Sequence, residues 1–182
     1  MPFTPIHMGP GMVIKAALPR RFSLVVFGLT QVAIDTEVLW HMARHDICYH
    51  TFFHTFLGAT CVAAAISAIG KPVSQWIKRL WNCVAIRCSN SDVTVETHTS
   101  WTAAIWGAAI GAYSHVVLDS IYHANMDAAP LQPWSAANPF LGWIAPEWVE
   151  IWCVLAGIVG LIWYFGRTIR PPAPTDEPGK NS

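Results

Sequence analysis

The chain has 182 residues, of which 53% are hydrophobic and only 12% are charged, and it contains ten tryptophans. The length suits one domain, while the composition is too apolar for an ordinary soluble domain and too aromatic for a disordered chain. Basic and acidic residues balance to a net charge of zero, so no basic surface points to a nucleic-acid partner.

The first predicted element is a short apolar stretch, GMVIKAAL, between Pro10 and Pro19. It is too short to cross a bilayer. It predicts either a re-entrant half-helix that ends at the Arg20–Arg21 turn or an interfacial helix. In the re-entrant case His7, thirteen residues before Arg20, lies about 20 Å from that turn.

Four apolar segments then reach the bilayer length of about 20 residues. They are residues 22–40, 51–69 (ended by Gly70), 101–124 and 147–166. We therefore predict an all-α fold, an integral membrane helical bundle of four transmembrane helices plus the N-terminal helix, as one domain over residues 1–170. The proline-rich polar residues 171–182 predict a disordered tail.

Basic residues orient this bundle. They cluster at the Arg20–Arg21 turn, in the predicted loop 71–100 and after the fourth span. By the positive-inside rule these regions are cytoplasmic, so loops 41–50 and 125–146 face the external side. The second of these loops is interpreted either as a lid over a site or as an ordinary connector.

Ionisable side chains recur at every fourth position of the third span, at His115, Asp119, His123 and Asp127. The first three share one helix face, and Asp127 lies at its edge or past the helix end. Ionisable groups in a membrane-length segment are costly and are kept where they pair, relay protons or bind a ligand. Imidazole with carboxylate is also a ligand set for zinc or a similar divalent ion.

Polar groups of three spans are predicted to meet at one depth. Asp35 lies thirteen residues after Phe22 and His115 fourteen after Trp101, which places both about 20 Å from the cytoplasmic end. His50 and His54 open the second span from the external side. A site in the external half of the bilayer follows from this alignment.

These observations define nine candidate metal ligands, a number that suits two or three ions rather than one. His115 and Asp119 would bind one ion with ligands from other spans, and His123 would bind a second. The candidates are His7, Asp35, Glu37, His50, His54, His115, Asp119, His123 and Asp127.

Four segments of the chain together resemble the YdjM-type family of inner-membrane-associated, metal-dependent hydrolases, also described as LexA-binding. They are TPIHMGPG (4–11), PRRFSLVVFGLTQVAIDTE (19–37), HTFFHTFLGAT (50–60) and GAYSHVVLDSIYHANMDAAPLQPWSAANPFLG (111–142). That family is similar in turn to zinc-dependent phospholipase C and related nucleases. In those all-helical enzymes, HxxxD pairs, a further Asp and additional histidines bind three zinc ions.

The resemblance implies His115 and Asp119 as the HxxxD pair, with Asp35 as the earlier acidic ligand. It implies His50 or His54 as the histidine partner of that acid. It also implies the bacterial inner membrane as the location and LexA as a partner by description.

The chain departs from the soluble enzymes at two positions. Those enzymes use a processed terminal amine as a ligand, a place that His7 would take here. Their second histidine–acid pair is matched only if His123 and Asp127 stand in for it.

We expect a membrane-bound, metal-dependent hydrolase that acts on an ester or phosphoester of a lipid or lipid-linked substrate. Asp35 is the predicted catalytic residue, a carboxylate that bridges metals and orients the attacking water. No GxSxG motif or serine triad competes with this interpretation. The alternatives are a metal or proton transporter, a haem protein, and a non-enzymatic membrane regulator that binds LexA.

Overall fold

The computed structural model describes residues 5–46, 50–89, 95–122 and 129–168. Within these ranges the chain forms α-helices, two short 3-10 turns and no strand, which confirms the all-α prediction for the described residues. The helices are α1 (Met8–Ala17), α2 (Leu24–Ala43), α3 (Phe56–Ser89), α4 (Trp101–Tyr122) and α5 (Pro146–Thr168). The predicted tail 171–182 lies outside the described residues.

Three of the helices are long and apolar enough to cross a bilayer, which is typical of a membrane protein. They are Phe56–Ile86 of α3, Trp101–Ile121 of α4 and Pro146–Arg167 of α5. The predicted first span corresponds to α2, which is long enough but is not one of these three helices, and Gln31, Asp35 and Glu37 interrupt its apolar run. The fourth span therefore stays a prediction.

Helix α3 is longer than the sequence predicts. The prediction that it ends at Gly70 and that residues 71–100 form a loop is wrong, because the helix continues through Pro72 to Ser89. Hydrogen bonds to the segment before α4 hold this extension: Ser74 Oγ lies 3.1 Å from Thr99 Oγ1, and Asn82 binds the backbone of Val95. These contacts offset the helical hydrogen bond that Pro72 removes.

Helices α2 and α4 lie side by side, run in the same direction and begin at capping serines. Ser23 Oγ accepts from the Val26 amide, and the Ser23 amide donates to the Ala103 carbonyl. Gly107 and Gly111 then let α4 approach the backbone of α2 closely, since a Cβ at either position would crowd its carbonyl oxygens. This close contact sets the register that continues to His115.

Helix α3 runs antiparallel to both and closes the core. Thr60 near its start contacts Tyr113 near the end of α4, and Lys71 lies over the ring of Trp101 at the start of α4. Six residues of the three helices form a fully or nearly buried apolar cluster: Ile34, Ala59, Val62, Ala63, Ala112 and Val116. This cluster adjoins the polar side chains of the candidate site, since Ile34 and Val116 are the sequence neighbours of Asp35 and His115.

Helix α1 packs lengthwise and parallel to α5. Gly9 near its start abuts the Cys153 carbonyl, and Arg167 near the end of α5 donates a hydrogen bond of 2.7 Å to the Ala16 carbonyl near the end of α1. His7 consequently lies at one end of the bundle and Lys15 at the other. The re-entrant placement of α1 in a bilayer stays a prediction.

Candidate metal centre

Two helices and one turn bring four ligand side chains together. Asp35 lies on α2, His115 and Asp119 lie four residues apart on one face of α4, and His54 ends the 3-10 turn Phe52–His54 before α3. All four are buried, with exposed fractions of 6%, 1%, 4% and 0% for Asp35, His115, Asp119 and His54. The interior of the bundle is therefore polar at this level.

The ligand atoms converge on a common point. His115 Nε2 lies 3.2 Å from Asp35 Oδ1 and 3.2 Å from Asp119 Oδ2, and His54 Nε2 lies 3.5 Å from the same Asp119 oxygen. One ligand atom from each of the four residues falls within 4.8 Å of all the others. Two ligands of a tetrahedral zinc ion, each about 2.0–2.1 Å from the metal, lie about 3.3 Å apart. The spacing therefore suits a single ion.

The remaining ring nitrogen of each histidine has an acceptor. His115 Nδ1 lies 3.2 Å from Gln31 Oε1, and His54 Nδ1 lies 3.1 Å from Glu37 Oε2. An amide oxygen and an ionised carboxylate only accept hydrogen bonds, so a proton on each Nδ1 would satisfy these contacts. In that tautomer each ring directs the lone pair of its Nε2 toward the carboxylates.

That arrangement leaves both Nε2 atoms without a hydrogen bond of acceptable geometry in the described part of the chain. Lone pairs facing carboxylate oxygens at 3.2–3.5 Å repel unless a proton or a cation lies between them. A divalent cation satisfies the two nitrogens and the two aspartates at once. The donor set and the two orphaned nitrogens thus fit a metal ion.

Two further predicted ligands lie beside this group of four. His7 Nδ1 is 3.8 Å from Asp119 Oδ1, and its ring meets the His115 ring edge-on with centroids 5.5 Å apart. The His50 ring meets that of His54 in the same way at 4.7 Å. Their ligand roles stay predictions, as do those of His123 and Asp127, which lie outside the described residues.

Glu37, a candidate ligand in the sequence, is placed behind His54 instead. Its carboxylate accepts hydrogen bonds from the amides of Thr51 and Phe53 as well as facing the His54 ring. It thereby anchors the turn that carries the histidine. Such outer carboxylates orient metal-binding histidines and fix their tautomer.

Gln31 is a site residue that the sequence reasoning missed. It is buried and faces His115, and its Nε2 atom has no hydrogen-bond partner among the described residues. Its position gave a clue, because it precedes Asp35 by four residues and so shares the same face of α2.

Fold and site together define an all-helical protein with bilayer-length helices and a buried histidine–aspartate group that could hold a metal ion. The chain belongs to the family described as a domain of unknown function, DUF4184, whose model matches residues 1–181. No curated protein and no solved structure matches the chain.

Proposed function

We propose that this protein is an integral membrane hydrolase that uses zinc to cleave ester or phosphoester bonds. The observation that carries the proposal is the buried group of Asp35, His54, His115 and Asp119, with two Nε2 atoms aimed at shared carboxylates. The resemblance to YdjM-type hydrolases supports the reaction class. A divalent ion in such a site supplies Lewis-acid chemistry, since it lowers the pKa of a water and stabilises charge developing on an ester oxygen.

The side chains of the site have two roles: the histidines bind the ion, and Asp35 accepts the proton of the attacking water. His54 and His115 supply neutral nitrogens whose protons are kept on the far side by Glu37 and Gln31. One oxygen of Asp35 faces His115. We assign the other oxygen of Asp35 to the attacking water, whose proton it accepts.

The proposed membrane placement uses α2 as a fourth span and α1 as a re-entrant helix. This placement is supported by the outward-facing apolar surface, since only 17% of the most apolar stretch of α5 is buried inside the structure. Basic residues gather where α2 and α4 begin, at the end opposite to the site. The cytoplasmic side of a bacterial inner membrane then holds that end, and the site lies in the external half.

A lipid or lipid-linked phosphoester is the substrate class that this depth favours. A substrate dissolved in the membrane reaches a buried polar site among bilayer-length helices most directly. Two or three metal ions are proposed, with His7, His50, His123 and Asp127 as the ligands beyond the group of four.

Elemental analysis of the detergent-purified protein tests the metal. We expect zinc in the unaltered protein and its loss from His115→Ala and Asp119→Ala, with both variants still in the membrane fraction. Ser114→Ala is the matched control, because Ser114 neighbours His115 and its hydroxyl, within the described ranges, donates to the Gly111 carbonyl alone. Unchanged metal content in the first two variants would refute the ligand assignment.

A panel of lipid phosphoesters and esters tests the reaction. Hydrolysis should stop with a chelator, return with zinc, and fall about 10²-fold or more in Asp35→Asn, the usual scale for a lost general base. Metal flux into liposomes without any hydrolysis would refute the hydrolase proposal and favour a metal transporter.

A further inference from the structure

A cavity of about 750 Å³ lies at the end of the bundle opposite to the histidine–aspartate group. It is bounded by α1, the start of α2, the distal part of α3 and the segment before α4. Asp35 is eleven residues beyond Leu24, the first residue of α2, so the two sites are about 16 Å apart along the helix axis. The cavity is therefore not part of the proposed metal site.

Two lysines and one arginine line this cavity, Lys15, Lys78 and Arg20, and the imidazole of His98 lines it too. Among the described lining residues Glu96 is the one acid, and its side chain is exposed. The charge of the cavity is consequently positive.

Neutral oxygens hold the two lysines in place. Lys15 Nζ donates to the carbonyls of Pro19 and Phe22 at 2.6 and 3.2 Å, and Lys78 Nζ donates to Thr99 Oγ1 at 2.9 Å. The two ammonium groups therefore share one partly buried cavity.

The walls of the cavity combine two helix N-termini with an apolar side. Ser23 and Ser100, which precede α2 and α4, both line it, so the positive ends of two helix dipoles adjoin the cavity. Ile77, Trp81 and Tyr164 line it as well. Its size falls in the range of small-ligand sites, about 300–1,000 Å³. A ligand that fits carries an anionic head and an apolar tail.

We propose that this cavity binds the phosphate headgroup of an anionic membrane lipid. The inference rests on the membrane placement proposed above, in which this end of the bundle faces the cytoplasm. Anionic lipids concentrate in the cytoplasmic leaflet, where basic residues attract them. A soluble organic phosphate offers the same anion but leaves the apolar wall uncovered.

Titration of the full chain in detergent separates the two sources of phosphate. The probes are dihexanoyl phosphatidic acid, its phosphatidylcholine counterpart and glycerol 3-phosphate. We expect the phosphatidic acid to bind at least about tenfold more tightly than either of the others, since only it combines net negative charge with acyl chains. Equal affinity for glycerol 3-phosphate would overturn the lipid assignment, and equal affinity for phosphatidylcholine would overturn the charge argument.

Matched variants locate the binding. Arg20→Gln and Lys78→Gln should each weaken binding about tenfold, the scale of a lost hydrogen bond to a charged group. Arg21→Gln and Lys71→Gln remove the same charge from residues outside the lining and should change the affinity less than about twofold. Arg20→Lys should retain most of the affinity, which shows that the effect does not arise from misfolding.

Equal losses of affinity in all four glutamine variants would show that the basic surface attracts the lipid without a specific site, and would refute the proposal. Zinc measured on the same samples keeps the two proposals apart. Metal-free protein with the expected binding pattern supports the lipid site while the hydrolase proposal fails. Metal-loaded protein without lipid binding refutes the lipid site alone.

Discussion

At the scale of single residues, the site depends on side chains that do not contact the ion. Gln31 and Glu37 each hold one Nδ1, and this decides which nitrogen of His115 and of His54 faces the aspartates. Glu37 also binds two amides of the turn that presents His54. The histidines are thus oriented before any ion binds, which lowers the conformational cost of binding.

Replacing Glu37 with Gln should lower zinc affinity about 10- to 100-fold, the usual effect of losing an outer-sphere carboxylate. The amide supplies one acceptor oxygen where the carboxylate supplied two, so the His54 ring and its turn lose part of their support. Chelator competition on purified protein measures the affinity. Thr36→Ala is the control, since Thr36 is exposed between Asp35 and Glu37. Equal affinities for Glu37→Gln and the unaltered protein would contradict the orienting role.

At the scale of helices, small residues set the distances between them. Gly107 and Gly111 bring α4 onto α2, and the same spacing of four residues continues to His115 and Asp119. Gly9 does the same for α1 against α5, where a Cβ would overlap the Cys153 carbonyl oxygen. The position of His7 beside Asp119 depends on that contact.

Gly9→Ala should therefore destabilise the protein by about 1–3 kcal/mol, the range for overpacked interfaces. Because the overlapping atom is backbone, α1 must move away from α5. Thermal unfolding in detergent measures the loss, expected as a fall in Tm of about 2–4 °C per kcal/mol. Gly166→Ala on α5 is the comparison, since a Cβ there meets nothing within 4 Å and alanine favours the helix. A Gly9→Ala protein as stable as Gly166→Ala would show that the α1–α5 contact is loose.

At the scale of the whole molecule, its two ends differ in chemistry. Buried histidines and carboxylates occupy one end, and Lys15, Arg20 and Lys78 surround a cavity at the other. Three apolar helices connect them. This polarity supports the proposed orientation in a bilayer, with the basic end inside.

Thiol labelling of intact cells tests that orientation. In a background with the five native cysteines replaced by alanine, Ala136→Cys should react with an impermeant reagent added outside. Glu96→Cys, at the opposite end, should react only after permeabilisation. Both positions are exposed in the structure, so access to the side chain does not limit either reaction. The reverse pattern would invert the topology and move the metal group to the cytoplasmic half.

The sequence by itself determined the features that depend on local geometry. Apolar runs specified the bilayer-length helices, and a spacing of four residues put His115 and Asp119 on one face because an α-helix turns about 100° per residue. The estimate of depth from helical rise brought Asp35, His54 and His115 to one level, where the structure also has them.

Only the tertiary structure decided which atoms meet across helices. It showed that α3 continues past Pro72, that Glu37 stands behind His54 and that Gln31 supports His115. It also gathered Lys15, Arg20 and Lys78 around one cavity. These outcomes depend on contacts between residues far apart in the chain, which the close approach at Gly107 and Gly111 sets and which no local spacing encodes.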